Sequence, residues 1–125
     1  MKRSLVFCVA LLISATLGAQ PSVASADDAC GTRANPCPLQ RWMHDNMGSK
    51  LSDGDLAAVA SGFDKLAATS PDPAWADWAK LAKNGAAAAR KGGDDGKRGA
   101  KAACKGCHDE YKTQYRARFR TRPAP

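Results

Sequence analysis

Residues 97–120, KRGAKAACKGCHDEYKTQYRARFR, carry the strongest structural pattern in this chain. Small, sulfur-containing and aromatic side chains recur there at spacings of three and four, at Ala100, Ala103, Cys104, Cys107, His108, Tyr111, Tyr115 and Phe119. An α-helix completes one turn every 3.6 residues, so these side chains share one helical face. The pattern predicts a long helix over 97–120 that is closed by Pro123.

Three shorter helices are predicted upstream, over 38–48, 52–69 and 73–91. The first begins with Pro38 and is expected to stop at Gly48, because proline suits the first turn of a helix and glycine its end. Its apolar face holds Leu39, Trp42, Met43 and Met47.

The other two helices have their own start signals. Ser52 is expected to cap the second helix, and Asp72 with Pro73 to open the third. A glycine-rich stretch, residues 92–96, is predicted to connect the third helix to the last. Because no alternating strand pattern occurs, the chain is predicted to be all-α and to fold as an antiparallel four-helix bundle.

The N-terminus has the composition of a secretory signal peptide. A basic start precedes an apolar run over 5–17, and small residues stand at Ala24 and Ala26, the two positions that a signal peptidase reads. The apolar run is shorter than the roughly 20 residues of a membrane span, and an uncleaved N-terminal anchor is the alternative. We expect a signal peptide over 1–26 and one mature domain over 27–125, without a transmembrane segment.

The chain is basic, with a formal net charge of +7 at pH 7, which becomes +5 if Lys2 and Arg3 leave with the signal peptide. An exported protein rarely meets nucleic acid, so this charge suggests a partner with an acidic surface, or anionic lipid heads. The tail arginines are spaced by two and are expected to spread around the helix, either as a solvated helix end or as a docking surface for an acidic redox partner: Arg116, Arg118, Arg120 and Arg122.

Cys104-Lys105-Gly106-Cys107-His108 is a C-x-x-C-H haem attachment pattern. The two thiols can add across the two haem vinyl groups to form thioethers, and the imidazole of the next residue can bind the iron. Attachment of this kind takes place outside the cytoplasm, in agreement with the predicted export. We therefore predict one haem c per chain, attached to Cys104 and Cys107, with His108 as an axial iron ligand.

Two other chemistries use similar cysteine spacings. A thioredoxin-like redox pair needs a strand–helix setting, which this chain does not offer. A zinc site could use all four cysteines of the mature chain, or three of them and a histidine. Neither explains a histidine directly after the second cysteine, but both stay open here, as does a small exported scaffold protein without haem.

A second axial ligand has to come from upstream, because no methionine follows His108. Met43 and Met47 lie one turn apart on the apolar face of the first helix, and either could reach the far side of the iron. His44 lies off that face. Core packing is the alternative role for both methionines, since methionine commonly fills gaps in a core.

The position of the haem motif near the C-terminus of a four-helix chain resembles the class II cytochromes c, the family of cytochrome c-prime. The likeness covers most of 38–120 and is most specific at the motif and at the aromatic Tyr111 that follows it. Residues 40–48, QRWMHDNMG, are similar to the first-helix segment of the low-spin members. The resemblance implies Met43 as the second axial ligand, with Met47 in reserve.

The chain departs from that family in three respects. Its mature part is shorter, Lys112 stands where an arginine commonly follows the aromatic residue, and the pair Cys30 and Cys37 is not a general family feature. The segment between these two cysteines is rich in turn formers, which favours a short disulfide loop in an oxidising compartment. Such a loop would stiffen the side of the site that carries Met43.

A His/Met ligand pair leaves an iron six-coordinate, with no open position for a substrate. The sequence thus predicts a one-electron carrier rather than an enzyme, exported to a bacterial periplasm, that exchanges electrons with redox partner proteins. If neither methionine binds, the iron is five-coordinate and could bind nitric oxide or carbon monoxide. The aromatic candidates for the walls of the haem site are Trp42, Phe63, Trp78 and Tyr111.

Overall fold

The structure is a computed structural model that describes residues 30–125, and every regular element in that range is a helix. The predicted all-α class is therefore confirmed, and four helical segments pack together. The signal peptide predicted over 1–26 lies outside the described residues. The elements in chain order are α1 (Pro38–Met43), a π-helical turn (His44–Gly48), α2 (Ser49–Asp53), α3 (Leu56–Ala68), α4 (Trp78–Arg90) and α5 (Gly93–Arg118).

The first three of these elements form one continuous stretch, which we call the N-terminal helical segment, residues 38–53. The predicted stop at Gly48 is wrong, because Gly48 keeps a right-handed helical conformation. The amide of Ser49 donates to the carbonyl of His44, five residues back, which is the bond of a π-helix. The segment ends at Gly54, whose φ of 78° gives a left-handed cap.

Helix α3 begins later than the sequence suggested. Its cap is Asp55, whose carboxylate accepts a hydrogen bond from the amide of Ala58 at 3.0 Å. Ser52, the predicted cap, lies inside α2 and donates its hydroxyl to the carbonyl of Gly48. The apolar residues of α3 recur at spacings of three and four, and Val59, Ala60, Phe63 and Leu66 are buried on one face.

Helix α4 begins at Trp78, because the residues after Pro73 form turns instead of a helix. The carboxylate of Asp72 accepts the amide of Ala74 at 2.9 Å, so the side chain closes a local turn that competes with helix formation. This bond and the guanidinium of Arg118, 2.7 Å away, lower the pKa of Asp72. Trp75 is held in the turn as a buried residue.

Helix α5 begins at Gly93, so the predicted connector over 92–96 is wrong apart from its first residue. Asp94 and Asp95 stand in the first turn of the helix, where negative charge is favourable to the helix dipole. The glycines on either side of them hid this helix start in the sequence.

The core lies where α4 packs against both α3 and α5, while the N-terminal helical segment packs against α3. α3 and α4 approach closely at Gly85, where a Cβ atom would lie 2.5 Å from the ring of Phe63. Trp75 stacks on Tyr111 of α5 with ring centroids 4.7 Å apart. No helix within residues 30–125 has the length and apolar character needed to cross a membrane.

Candidate functional site

A cavity of about 590 Å³ lies between the N-terminal helical segment and α5, with α3 and α4 beneath it. Its volume is in the range of small-molecule and cofactor sites. It brings together the residues that the sequence singled out from distant parts of the chain: Cys37, Met43, His44, Met47, Cys104, Cys107 and His108. The sequence could not show that these residues share one cavity.

The α5 wall carries Cys104, Cys107 and His108 on one helical face, since they stand at positions i, i+3 and i+4 of the helix. Both cysteines are half-buried free thiols, while His108 is exposed. Burial raises the pKa of Cys104 and of Cys107. Catalytic redox cysteines have lowered pKa values instead, so the thioredoxin-like alternative has no support here.

His108 is suited to coordination. Burial of part of its ring, followed by the positive charge of Lys112, lowers the pKa of the imidazole. The neutral form that results near pH 7 has a free nitrogen lone pair, which is the form that binds metals.

The opposite wall carries the two methionines, whose surroundings differ. Met47 is only 4% exposed, and its sulfur lies so close to α3 that a Cβ atom on Gly62 would overlap with it. Met43 is partly buried and lies at the end of α1, directly before the π-helical turn. His44 lies at the cavity mouth, with its side chain 79% exposed and Nδ1 2.8 Å from a carboxylate oxygen of Asp45.

A disulfide between Cys30 and Cys37 closes a loop in front of α1. Cys37 is buried, and its amide donates to the side-chain oxygen of Gln40 at 3.4 Å, so the bridge is tied to the first turn of α1. Gly31 and Cys37 both line the cavity. The loop therefore forms part of the wall that leads to Met43.

The aromatic walls differ in part from the prediction. Phe63, Trp78 and Tyr111 line the cavity, but Trp42 does not. Trp78 is fixed in orientation, because its indole Nε1 donates to the carbonyl of Leu66 at 2.6 Å. Tyr115 also lines the cavity and was not among the predicted wall residues, although its position one turn after Tyr111 was a usable signal. Leu51 lines the cavity as well, and it was not predicted to do so because the first helix was expected to end before it.

The basic residues of the tail separate into two groups. Arg118 pairs with Asp72, and Arg122 donates to the carbonyl of Ser70 at 3.3 Å. Three basic residues line the cavity: Lys112, Arg116 and Arg120. They are spaced by four, so they share one face of α5 and of the residues that directly follow it. The four tail arginines therefore spread over two sides and do not form one patch, as their spacing predicted, and Arg116 and Arg120 are the two that line the cavity.

The chemistry of this cavity fits a haem. One wall offers two thiols and an imidazole, the facing wall offers a thioether, and most of the remaining surface is apolar. The four-cysteine zinc site is incompatible with the disulfide, which uses two of the thiols. Within residues 30–125 no three His, Cys, Asp or Glu side chains gather as a metal-binding group. No protein-family model, no curated protein and no solved structure matches this chain.

Proposed function

We propose that this protein is an exported monohaem c-type cytochrome that carries single electrons between redox partner proteins. The observation that carries the proposal is that Cys104, Cys107 and His108 face the same cavity as Met43, although the methionine belongs to another helix. The bound haem would supply an iron that alternates between the ferrous and ferric states.

Cys104 and Cys107 would hold the haem covalently. Each thiol would add to one vinyl group of the haem, with the thiol proton going to the other vinyl carbon, so that the two cysteines would hold the haem through thioether bonds. Both sulfurs belong to one helical face and stand half-buried at the cavity wall. His108, on the same face, is the proximal ligand in this proposal.

Met43 is the better candidate for the second axial position. Met47 fills space against Gly62 and is nearly inaccessible, so its sulfur is already used in packing. Met43 retains partial exposure at the cavity. π-helical turns occur often at functional sites, and the turn over 44–48 begins directly after Met43.

A His/Met pair favours electron transfer over catalysis, because both iron states keep the same two ligands and no position opens for a substrate. Within residues 30–125 the cavity wall contains no carboxylate. We therefore propose a carrier and not an enzyme.

The wider setting agrees with this proposal. A haem motif on the last helix, facing a methionine on the first, is the arrangement that the class II cytochrome c resemblance implies, together with an antiparallel four-helix bundle. The Cys30–Cys37 disulfide is characteristic of an oxidising compartment, as expected for an exported protein in a bacterial periplasm. Partners with acidic surfaces would suit the basic chain.

The second candidate function is the binding of small gases by a five-coordinate iron. It depends on Met43 alone, because Met47 is held against α3. Met47 also lines the cavity, but its sulfur is packed against Gly62 and is not free to replace Met43.

The test is the mass and the absorption spectrum of the protein made in a host that attaches haem c. We expect the mass of residues 27–125 plus one haem, and a low-spin spectrum with a methionine–iron band toward the red end. A high-spin spectrum that responds to carbon monoxide would favour gas binding. The control variant Cys104→Ala/Cys107→Ala should lose the covalent haem. A colourless wild-type protein with unmodified thiols at 104 and 107 would exclude both functions.

A further inference from the structure

The cavity is chemically asymmetric. Its walls are mainly apolar, and it is lined by three permanent cations, Lys112, Arg116 and Arg120, but by no carboxylate. Lys112 and Arg116 are exposed at the rim of the cavity, and Arg120 is partly buried there, so their positive charge is available to an occupant of opposite charge. The natural occupant should therefore combine an apolar body with negative charge at one edge.

The ion pairs of α5 reinforce this asymmetry. Three cations of α5 that do not line the cavity have partners: Arg98 pairs with Asp95, Lys105 with Asp109, and Arg118 with Asp72. Within residues 30–125, Lys112 and Arg116 form no ion pair. Lys97 and Lys101 of α5 also form no ion pair within these residues, but they do not line the cavity. Lys112 and Arg116 are thus the unpaired cations of α5 that face it.

The order of residues along α5 places the positive charge on the C-terminal side of His108. The two cysteines precede His108, and the cations follow it. A helix rises 1.5 Å per residue, so Lys112 lies about 6 Å and Arg116 about 12 Å beyond His108 along the axis. In a haem, the vinyl edge that forms thioethers is opposite the edge that carries the two propionates.

We propose that Lys112 and Arg116 form a carboxylate-binding subsite for the haem propionates, with Arg120 at its outer end. This inference rests on the proposed haem function and deepens it. With its vinyl edge attached at Cys104 and Cys107, the haem turns its propionate edge toward the C-terminal part of α5. A guanidinium can bind a carboxylate through two parallel hydrogen bonds, which suits Arg116 to this role.

Arg120 connects the subsite to the disulfide loop. A Cβ atom on Gly31 would lie 3.8 Å from both Cδ and Nη1 of Arg120, so the arginine packs over the loop. The carboxylate-binding residues and the Cys30–Cys37 loop therefore close the same end of the cavity.

The test compares the reduction potential of three haem-loaded proteins over a range of pH: wild type, Arg116→Gln and Lys101→Gln. Ionised propionates stabilise ferric iron, so the potential falls as the pH rises through the propionate pKa. A guanidinium keeps that pKa low. Arg116→Gln should move the inflection to higher pH by about one unit or more. Lys101 is exposed on α5 and does not line the cavity, so its variant removes the same charge without moving the inflection.

In Arg116→Lys the inflection should lie between those of wild type and Arg116→Gln, because lysine carries the positive charge but cannot form the two parallel hydrogen bonds of a guanidinium. Equal inflections in Arg116→Gln and wild type would overturn the proposal. If electron transfer to an acidic partner then slowed while the inflection stayed constant, these cations would belong to a docking surface instead. Both results are measured on protein that carries covalent haem, so neither can be confused with a failure of the proposed haem function.

Discussion

Met43 and Met47 are one turn apart, yet their side chains meet different surroundings. The thioether of Met47 occupies the space that the missing side chain of Gly62 leaves on α3, which makes it part of the core. The thioether of Met43 borders the cavity and is not enclosed by a neighbouring helix. The same residue type therefore serves packing at one position and is available for coordination at the other.

Alanine substitutions should separate these roles. Met43→Ala should convert the low-spin spectrum to a high-spin one that responds to carbon monoxide. Met47→Ala should keep the low-spin spectrum but lower the free energy of unfolding by roughly 2–5 kcal/mol, the usual cost of removing a buried methionine side chain. The measurements are an absorption spectrum with and without carbon monoxide, and urea denaturation.

Met47→Leu is the control, because a swap of similar volume usually costs less than about 1.5 kcal/mol. Loss of the methionine–iron band in Met47→Leu, with the band retained in Met43→Ala, would reverse the two assignments.

At the scale of the elements, the contact between α3 and α4 depends on a residue without a side chain. Phe63 is fully buried, and its ring lies over Gly85 of α4. Any Cβ atom at position 85 would push this ring away or separate the two helices. The core around Phe63 is packed closely, so neither movement is free of cost.

Gly85→Ala should lower the free energy of unfolding by about 1–2 kcal/mol, because the overlap with Phe63 outweighs the better helix propensity of alanine. Gly106→Ala is the matched control. Gly106 is also inside a helix, but nothing lies within 4 Å of its added Cβ atom, so this change should raise stability by up to about 1 kcal/mol. Denaturation of both variants made without haem, the state in which the added Cβ atom at position 106 meets no neighbour, checks the prediction, and a shift of the same sign in both would contradict it.

The helices could be predicted from the sequence wherever an apolar face repeats, as it does in α3 and α5. Their ends could not, because they depend on competing hydrogen bonds. The side chain of Asp72 satisfies the amide of Ala74, which keeps Pro73 in a turn. Gly48 was expected to end the first helix, but a π-type bond across it carries the helix onward.

The sequence singled out several residues that line the cavity, but not the cavity itself. The haem motif is local in sequence, so Cys104, Cys107 and His108 could be recognised directly. The sequence pattern left Met43 and Met47 equivalent, because only the packing of Met47 against Gly62 distinguishes them. The cluster of cations at the cavity was not predicted, because the basic residues of the tail were considered at a spacing of two. Lys112 and Arg116 are four residues apart, about one helical turn, and therefore share a face.

At the scale of the whole molecule, the helices are not equally supported. α3, α4 and α5 pack on one another in sequence, with buried alanines and aromatic rings between them. The N-terminal helical segment packs against α3, and between it and α5 stands the cavity. The N-terminal helical segment therefore has two packing surfaces, one against α3 and one against the occupant of the cavity.

A chain without haem should consequently loosen at this segment first, because regions with few packed contacts open before the rest of the molecule. In the variant Cys104→Ala/Cys107→Ala, amide hydrogens over 38–53 should exchange much faster than in the haem-loaded protein, while those of α3 and α4 stay protected. The disulfide remains intact in this variant, so it cannot account for the change. The measurement is hydrogen exchange resolved by peptide. Equal protection over 38–53 with and without haem would mean that the segment is held by α3 alone, and that the cavity exists independently of an occupant.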